Sequence, residues 1–272
     1  MRPIVLFDMD GTLTEPRKKI SYEMVSVIDN LTKVADIGIV TGSGIDYVEQ
    51  QCNPLWEDLI GIDTTKLKIM PCNGTQVYTM KSGNQLQQEY SVSMRDKIGD
   101  VTYQELIREI IHIQSWAMRH GDFLSKIPLT GHFLSYRDSL LNWCPVGRDS
   151  KDVERQRFKQ QDDIYKIRES LLNVLISHLN DRAFPLKDLN MALGGATSID
   201  IYPRGWDKTY ALNHVDKEKC YFIGDKCTGN GNDKELYDAI KLEGLGAFEV
   251  KSPQETMFII NNEILKGSQY ET

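Results

Sequence analysis

The sequence has no long apolar run and few cysteines. A helix needs roughly 18 to 20 apolar residues to cross a bilayer, and the N-terminal apolar stretch 3–7 ends at Asp8. We therefore predict neither a membrane span nor a secretory signal. The 5 cysteines are odd in number and form no C-x-x-C pair, which argues against a disulfide framework or a zinc site. We expect reduced thiols in a cytoplasmic protein.

Positive charge is also scarce. The chain has 32 Lys and Arg against 39 Asp and Glu, a formal net charge of -7. Because nucleic acids and anionic lipids attract proteins through Lys and Arg, we expect no nucleic-acid partner and no membrane partner. Only 9 Pro and 20 Gly occur among 272 residues, of which 40% are hydrophobic. This composition favours a globular protein with one larger and one smaller domain.

Short apolar segments predict buried parallel strands. Apolar residues that are continuous rather than alternating are typical of a strand covered on both faces. Such strand-like segments lie at 3–7, 36–40, 68–70, 220–224 and 246–250. Ser21 is placed to cap a helix between the first two, with Met24, Val27, Ile28 and Leu31 at helical spacing. The order strand, helix, strand predicts a doubly wound, mostly parallel, Rossmann-like α/β sheet.

The middle of the chain has a different pattern. Residues 76–80 and the segment from 85 onward resemble a hairpin joined through 81–84. Beyond it we predict helices at 104–118 and 162–178, and strands at 133–136, 140–143 and 198–202. Without a regular βαβ alternation, this region is predicted to be an inserted α+β cap domain. The predicted domains are a core, 1–84 with 203–272, and a cap, 85–202.

Two carboxylates follow the first predicted strand. Asp8 and Asp10 are two residues apart, so in extended backbone both project to one face at the carboxyl end of the strand. One can attack phosphorus while the other protonates the leaving oxygen. We predict that Asp8 is the nucleophile and Asp10 the general acid and base. A phosphate anion also requires positive charge, for which Mg²⁺ held by Asp225 and the ammonium of Lys208 are the candidates.

Polar loops follow two other predicted strands. Asn232 and Asp233, in the loop after Asp225, are predicted to orient a metal or its waters. Thr41 and Ser43 follow the second strand, where hydroxyls and backbone N–H groups can hold phosphoryl oxygens. Ordinary solvated turns are the alternative interpretation for both loops.

Separated segments resemble known phosphoryl-transfer enzymes. Asp8-Met-Asp-Gly-Thr12, Thr41-Gly-Ser43, Lys208, and Gly224-Asp225 through Asp233 occur in the order of the haloacid dehalogenase superfamily. The insert resembles the cap of its type IIB branch. The chain most closely resembles eukaryotic-type phosphomannomutases, through the segments 7–17, 136–137, 141–142, 145–148, 154–155, 198–200 and 203–210.

The resemblance implies an activity and a set of residues. Such enzymes interconvert mannose 6-phosphate and mannose 1-phosphate through an aspartyl phosphate and a hexose 1,6-bisphosphate, with Mg²⁺ as cofactor, and form homodimers through the cap. The implied metal ligands are Asp8, Asp225 and the backbone carbonyl of Asp10. The implied sugar-phosphate ligands are Arg17, Arg137, Arg148, Arg155, Ser198 and Asp200. Guanidinium groups suit the distal phosphate because they bind it bidentately.

The chain departs from the family pattern at two places. Asp138 puts a negative charge beside Arg137, and Ala239 and Leu242 replace residues of a further cation site, which we therefore do not predict here. His132 and Trp143 are expected to pack between cap strands rather than to catalyse.

Two other functions remain open. A sugar-phosphate phosphatase of the same superfamily would use the aspartates in the same way but let water attack the phosphoenzyme. A binding or regulatory protein would keep the fold without the chemistry.

Overall fold

A computed structural model describes residues 2–57, 63–81, 85–120, 129–182, 184–229 and 231–266. The chain divides into a core unit, Met1–Ser91 with Trp206–Thr272, and an insert unit, Val92–Gly205. The roles of these units as catalytic core and specificity cap stay predictions. Across the residues that the structure describes, no helix combines the length and the apolar character needed to span a membrane.

The described residues form eleven strands and eight α-helices. The strands are β1 (Ile4–Phe7), β2 (Asp36–Val40), β3 (Leu67–Met70), β4 (Gln76–Lys81), β5 (Gln85–Ser91), β6 (Leu134–Tyr136), β7 (Leu141–Trp143), β8 (Leu189–Gly194), β9 (Ser198–Pro203), β10 (Cys220–Gly224) and β11 (Gly246–Glu249). The helices are α1 (Tyr22–Thr32), α2 (Ile45–Cys52), α3 (Met94–Ile98), α4 (Asp100–His120), α5 (Asp152–Tyr165), α6 (Ile167–Asp181), α7 (Lys234–Glu243) and α8 (Pro253–Ile259).

The core unit is built on a seven-stranded sheet in the order β11-β10-β1-β2-β3-β4-β5. Strands β11 to β3 run parallel, and β4 and β5 add antiparallel to the edge. All four residues of β1 are buried, as expected for a strand covered on both faces. The predicted doubly wound, mostly parallel α/β sheet is confirmed, and so is the β4–β5 hairpin. Its turn at 82–84 lies outside the described residues.

Helix α1 begins where the sequence predicts. The Ser21 hydroxyl accepts a hydrogen bond from the backbone N–H of Met24 at 3.2 Å, and Ile28 and Leu31 are buried against the sheet. Helices α2, α7 and α8 were not predicted. In α7 only Leu236 and Ile240 are buried, so its apolar stripe is too narrow to be conspicuous in the sequence.

The insert unit carries an antiparallel sheet in the order β6-β7-β9-β8, with α4, α5 and α6 as its long helices. The predicted helix at 104–118 is confirmed within α4. The single helix predicted at 162–178 is wrong, because α5 and α6 meet at Lys166, which has a left-handed backbone with φ 51°. A left-handed residue ends the α-helical hydrogen-bond pattern, and the chain starts again at Ile167.

The two aromatic predictions for this unit have opposite outcomes. Trp143 is fully buried, and its indole N–H donates to Gln114 Oε1 at 2.7 Å, so its packing role is confirmed. The packing role of His132 is wrong, because its side chain is 56% exposed and lies 3.7 Å from the carboxylate of Asp149. Since His132 precedes β6 rather than lying in it, the sheet does not cover it.

Candidate active site

Three strands of the core sheet end at the same place. Strand β1 lies between β10 and β2, with all three parallel. The backbone N–H of Asp8, directly after β1, donates to the carbonyl of Ile223 in β10 at 2.9 Å. Asp225 and Thr41 follow β10 and β2 in the same way. Because carboxyl ends of neighbouring parallel strands share one edge of a sheet, these side chains converge there.

Lys208 connects two carboxylates at this edge. It is 1% exposed, and its ammonium donates hydrogen bonds to Asp8 and to Asp233, which are 5% and 0% exposed. Burial opposes the charge on the ammonium, but the two carboxylates outweigh burial and raise the pKa of Lys208 above its ordinary value. The lysine is therefore a fixed positive charge beside the predicted nucleophile.

Three carboxylates form a compact cluster around this lysine. Asp8, Asp225 and Asp233 each offer an oxygen within 4.8 Å of the other two. Asp225 Oδ1 is buried without a hydrogen-bond partner. Gly11, with φ 96°, lets the chain pass close to this cluster, since a Cβ there would lie 2.4 Å from Asp225 Oδ2. Oxygen donors with one buried oxygen unsatisfied are what a hard divalent cation such as Mg²⁺ requires, so the residues fit the predicted metal.

The cluster has more negative than positive charge, and the pKa values reflect this. Burial is the main cause that raises the pKa of Asp8 to about 7, with Asp233 and Asp225 adding to the effect and Lys208 opposing it. Burial also raises the pKa of Asp225. For Asp233, burial is outweighed by Lys208, which lowers the pKa of this carboxyl. The negative charge at the site is thus only partly balanced by protein groups.

Asp10 is not one of the three clustered carboxylates, but its charge contributes to the raised pKa of Asp225, of which burial is the main cause. Asp10 is half-buried, and its carboxylate accepts a hydrogen bond from the backbone N–H of Arg17 at 3.1 Å. Arg17 has a left-handed backbone, φ 65°, and an exposed side chain. The roles of Asp10 as acid and base, and as metal ligand through its carbonyl, stay predictions. So does the role of Arg17.

The loop after β2 is held by a buried turn. The backbone N–H of Ser43 donates to the Thr41 hydroxyl at 3.1 Å. The N–H groups of Cys72 and Asn73 donate to the carbonyls of Ser43 and Thr41 at 2.9 and 2.8 Å. The Asn73 side chain in turn donates to the carbonyl of Trp206 at 3.1 Å. This asparagine therefore links the Thr41–Ser43 loop to the segment that carries Lys208, a role that its place in an Asn-Gly turn did not reveal.

The two predicted residues of the β10–α7 loop differ in placement. Asn232 is exposed, whereas Asp233 is buried and its Oδ2 accepts a hydrogen bond from the backbone N–H of Lys226 at 3.0 Å. The structure thus brings Asp233, rather than Asn232, into the cluster with Asp8 and Asp225.

The insert unit has a second group of predicted site residues around Asp200 in β9. Asn142 of β7 donates to Asp200 Oδ1 at 2.5 Å, and Arg148 donates to Asn142 Oδ1 at 3.3 Å. Burial raises the pKa of Asp200, and the charges of Arg137 and Arg148 act against this rise. Gly194 leaves room for the carboxylate, since a Cβ there would lie 2.3 Å from Asp200 Oδ2.

Ser198 and Arg155 are the remaining predicted ligands of this unit. Ser198 lies two residues before Asp200 in β9, hence on the same face, and its hydroxyl donates to the carbonyl of Gly194 at 2.9 Å. Arg155 is half-buried on α5. Their roles in binding a sugar phosphate stay predictions.

Sequence reasoning missed Arg168, which supports this group. Its backbone N–H and its Nε donate to the two carboxylate oxygens of Asp162 at 2.8 and 2.7 Å. Its Nη1 donates to the carbonyls of Gly194, Gly195 and Ser198 at 3.2 to 3.4 Å. Arg168 therefore holds the turn between β8 and β9 in place. A signal was present, because Arg168 shares the helical spacing of the buried residues Leu171, Leu175 and Leu179.

Comparisons with known proteins identify the family to which the chain belongs. A family model described as eukaryotic phosphomannomutase matches residues 24–266. A protein of Nicotiana benthamiana named phosphomannomutase is 32% identical over 259 residues, which are 93% of this chain and 91% of the relative. One of Schizosaccharomyces pombe with the same name is 33% identical over 242 residues, 87% and 85% of the two chains.

Solved structures show the same fold at low identity. The structure of Plasmodium falciparum IMP-nucleotidase superimposes with a TM-score of 0.65 at 15% identity, covering 98% of this chain and 64% of that longer one. This likeness concerns the fold alone. The family model and the two relatives, in contrast, extend over most of the chain, and the chain belongs to the eukaryotic phosphomannomutase family of enzymes.

Proposed function

We propose that the protein interconverts mannose 6-phosphate and mannose 1-phosphate through an aspartyl phosphate and a hexose 1,6-bisphosphate. Membership of the family and the name of its relatives support the substrate. The observation that carries the chemistry is the buried hydrogen bond between the Lys208 ammonium and the Asp8 carboxylate at the end of β1. A carboxylate held beside a permanent positive charge is suited to attack an anionic phosphoryl group.

Asp8 and Asp10 would divide the chemical steps. An oxygen of Asp8 forms a bond to phosphorus as the bond between phosphorus and the sugar oxygen breaks, and Asp10 gives that oxygen its proton. In the reverse direction Asp10 removes the proton from a sugar hydroxyl, which takes the phosphoryl group from Asp8. Lys208 stays protonated throughout and balances charge on the phosphoryl oxygens. The Thr41 and Ser43 hydroxyls are proposed to orient the same oxygens.

The carboxylates would hold Mg²⁺. The proposed ligands are Asp8, Asp225 and the carbonyl of Asp10, with Asp233 and Asn232 supporting the site from the β10–α7 loop. The unpartnered Oδ1 of Asp225 supports this assignment. When bound, the ion lowers the repulsion between the carboxylate and the phosphate.

A mutase must also hold the phosphate that is not reacting. We assign this role to Arg17, Arg137, Arg148 and Arg155, and assign recognition of the sugar to Ser198 and Asp200. Guanidinium groups suit this task because they bind phosphate through two parallel hydrogen bonds. The hydrogen-bonded chain of Arg148, Asn142 and Asp200 supports it, since it fixes one guanidinium before substrate arrives.

Phosphorus NMR tests the proposal. The purified protein is incubated with mannose 1-phosphate, Mg²⁺ and a catalytic amount of glucose 1,6-bisphosphate. We expect the mannose 6-phosphate signal to grow as the substrate signal falls. Stoichiometric inorganic phosphate without mannose 6-phosphate would identify a phosphatase instead, and no turnover would reject both.

Family membership supports two further proposals. We propose a homodimer formed through the insert unit, and residence in the cytoplasm. All 5 cysteines are buried free thiols, which suits a reducing compartment. Light scattering after gel filtration tests the dimer, where a mass of about 31.1 kDa would mean a monomer.

A further inference from the structure

A group of nitrogen and oxygen donors lies on two helices of the insert unit, separate from the residues discussed above. Glu109 and His112 are three residues apart on α4, and His178 lies on the neighbouring α6. One donor atom of each lies within 4.8 Å of the other two. Glu-x-x-His spacing puts both side chains on one helical face, which is how helical bundles present metal ligands.

The carboxylate of Glu109 is buried and already oriented. It is 2% exposed, which is unusual for a glutamate on a surface helix. Its Oε1 lies 2.7 Å from His178 Nδ1, and its Oε2 lies 3.0 Å from Arg182 Nη1. Arg182 therefore fixes one carboxylate oxygen and leaves the other directed at the histidine. A partner that orients a ligand in this way is typical of metal sites.

The histidines are placed beside that second oxygen. The rings of His112 and His178 have centroids 6.2 Å apart. His112 is exposed, so a metal can reach the group from solvent. Ile113, Trp116 and Val174 line a cavity of about 350 Å³ next to the two rings. An apolar wall strengthens the attraction between a cation and the carboxylate, because it lowers the local dielectric.

We propose that Glu109, His112 and His178 form a binding site for a transition-metal ion of the Zn²⁺ type. Two imidazoles and one carboxylate suit Zn²⁺, whereas Mg²⁺ prefers oxygen donors alone. Glu109 Oε1 and His178 Nδ1 face each other across 2.7 Å, a hydrogen-bond distance. A metal bound between these two atoms would widen their separation by about 0.5 Å, given ligand distances of about 2 Å. The bound ion would cross-link α4 to α6.

Cobalt binding tests the site directly, since Co²⁺ occupies zinc sites and has visible absorption bands. The titration uses the full chain in excess Mg²⁺, so that the oxygen cluster around Asp225 does not contribute. We expect one Co²⁺ per chain, displaced by Zn²⁺. In His112→Gln the affinity should fall by at least about 100-fold, because loss of a ligand costs more than the roughly 10- to 100-fold cost of losing a partner that orients one. His132→Gln is the matched control, because His132 is an exposed histidine of the same unit, and it should bind like the wild type.

Copper provides a second readout that depends on the donor atoms. In the EPR spectrum of bound Cu²⁺, two imidazoles give nitrogen hyperfine lines, and these lines should be lost or halved in His112→Gln and in His178→Gln. Equal Co²⁺ affinity in His112→Gln and wild type would overturn the proposal, and so would a copper spectrum without nitrogen lines. If the circular dichroism of one variant differs from that of the wild type, its fold has changed, and the metal binding of the other variant tests the proposal. Neither measurement uses substrate, so the outcome is independent of the proposed mutase activity.

Discussion

Each unit of the molecule contains a buried basic residue that is hydrogen-bonded to carboxylate. The two basic residues differ in whether they balance the negative charge around them. In the core unit, Lys208 donates to both Asp8 and Asp233. In the insert unit, Arg168 donates twice to Asp162 and also to three backbone carbonyls. The arginine and its carboxylate neutralise each other and have fixed partners. Lys208 donates to two carboxylates at once, and a third carboxylate, that of Asp225, lies nearby.

We infer from this comparison that an imbalance of charge, rather than burial of a charged pair, marks a candidate reactive site. Around Lys208, three carboxylates face one ammonium, and the pKa of Asp8 rises to about 7. Such a surplus attracts a cation. Around Asp200 the surplus has the opposite sign, because Arg137 and Arg148 both act on one carboxylate, and this suits an anion. We expect chemistry at the first site and binding at the second.

The largest expected effect comes from Asp8→Asn. An amide of the same size keeps the packing but cannot attack phosphorus, so turnover should fall by at least about 10⁴-fold, as for removal of other enzyme nucleophiles. Phosphorus NMR of the mutase reaction measures this. Asp216→Asn is the control, since Asp216 is an exposed carboxylate paired with the nearby Lys219, and should leave turnover unchanged. Wild-type turnover in Asp8→Asn would disprove the assigned mechanism.

The next largest effect is expected for Lys208→Met, which removes the positive charge and keeps a side chain of similar size. The variant leaves two buried carboxylates without their common partner, and breaking a buried pair costs about 3 to 5 kcal/mol. Urea unfolding without metal should show this loss, and turnover should fall with it. In the control Lys217→Met the broken pair is a surface one, with Glu243, and such pairs contribute at most about 1 kcal/mol. Equal stability of the two variants would contradict the comparison.

Arg168→Met tests the structural half of the comparison. The free energy of unfolding should again fall by about 3 to 5 kcal/mol, but KM for the sugar phosphate should rise while kcat changes little, because Arg168 positions the β8–β9 turn and not the reacting atoms. Arg168→Lys should not restore KM, since an ammonium cannot reproduce the forked contacts. If kcat fell as strongly as in Lys208→Met, Arg168 would belong to the chemistry.

The strand-end residues were predictable from sequence because their position follows from one rule. Asp8, Thr41 and Asp225 each terminate an apolar strand, and parallel strands end at one edge. No such rule applies to Asp233, which is separated from β10 by a loop whose path depends on contacts such as its hydrogen bond from Lys226. Asn232, its neighbour, looks equivalent in the sequence and is exposed.

The insert unit was harder to predict for a similar reason. Arg168 acts through the turn between β8 and β9, 26 to 30 residues further along the chain, and local patterns do not report such distances. The break between α5 and α6 was missed because Lys166 is not a residue that favours a left-handed backbone. The resemblance to a known family identified Arg137, Arg148 and Asp200 as a group, which composition and spacing alone did not.

The smallest expected effect concerns Asp138, where the chain departs from its family. Asp138 is exposed and follows Arg137 in a turn with φ 59°. Asparagine tolerates this left-handed backbone, so Asp138→Asn removes the charge and keeps the turn. If Arg137 binds the distal phosphate, KM should fall about two- to five-fold at low salt, and the gain should shrink as salt screens the exposed charge. Asp163→Asn, at an exposed carboxylate of the same unit that is adjacent to none of the assigned arginines, is the control. An unchanged KM in Asp138→Asn would mean that Arg137 does not bind phosphate, and the positive surplus around Asp200 would then rest on Arg148.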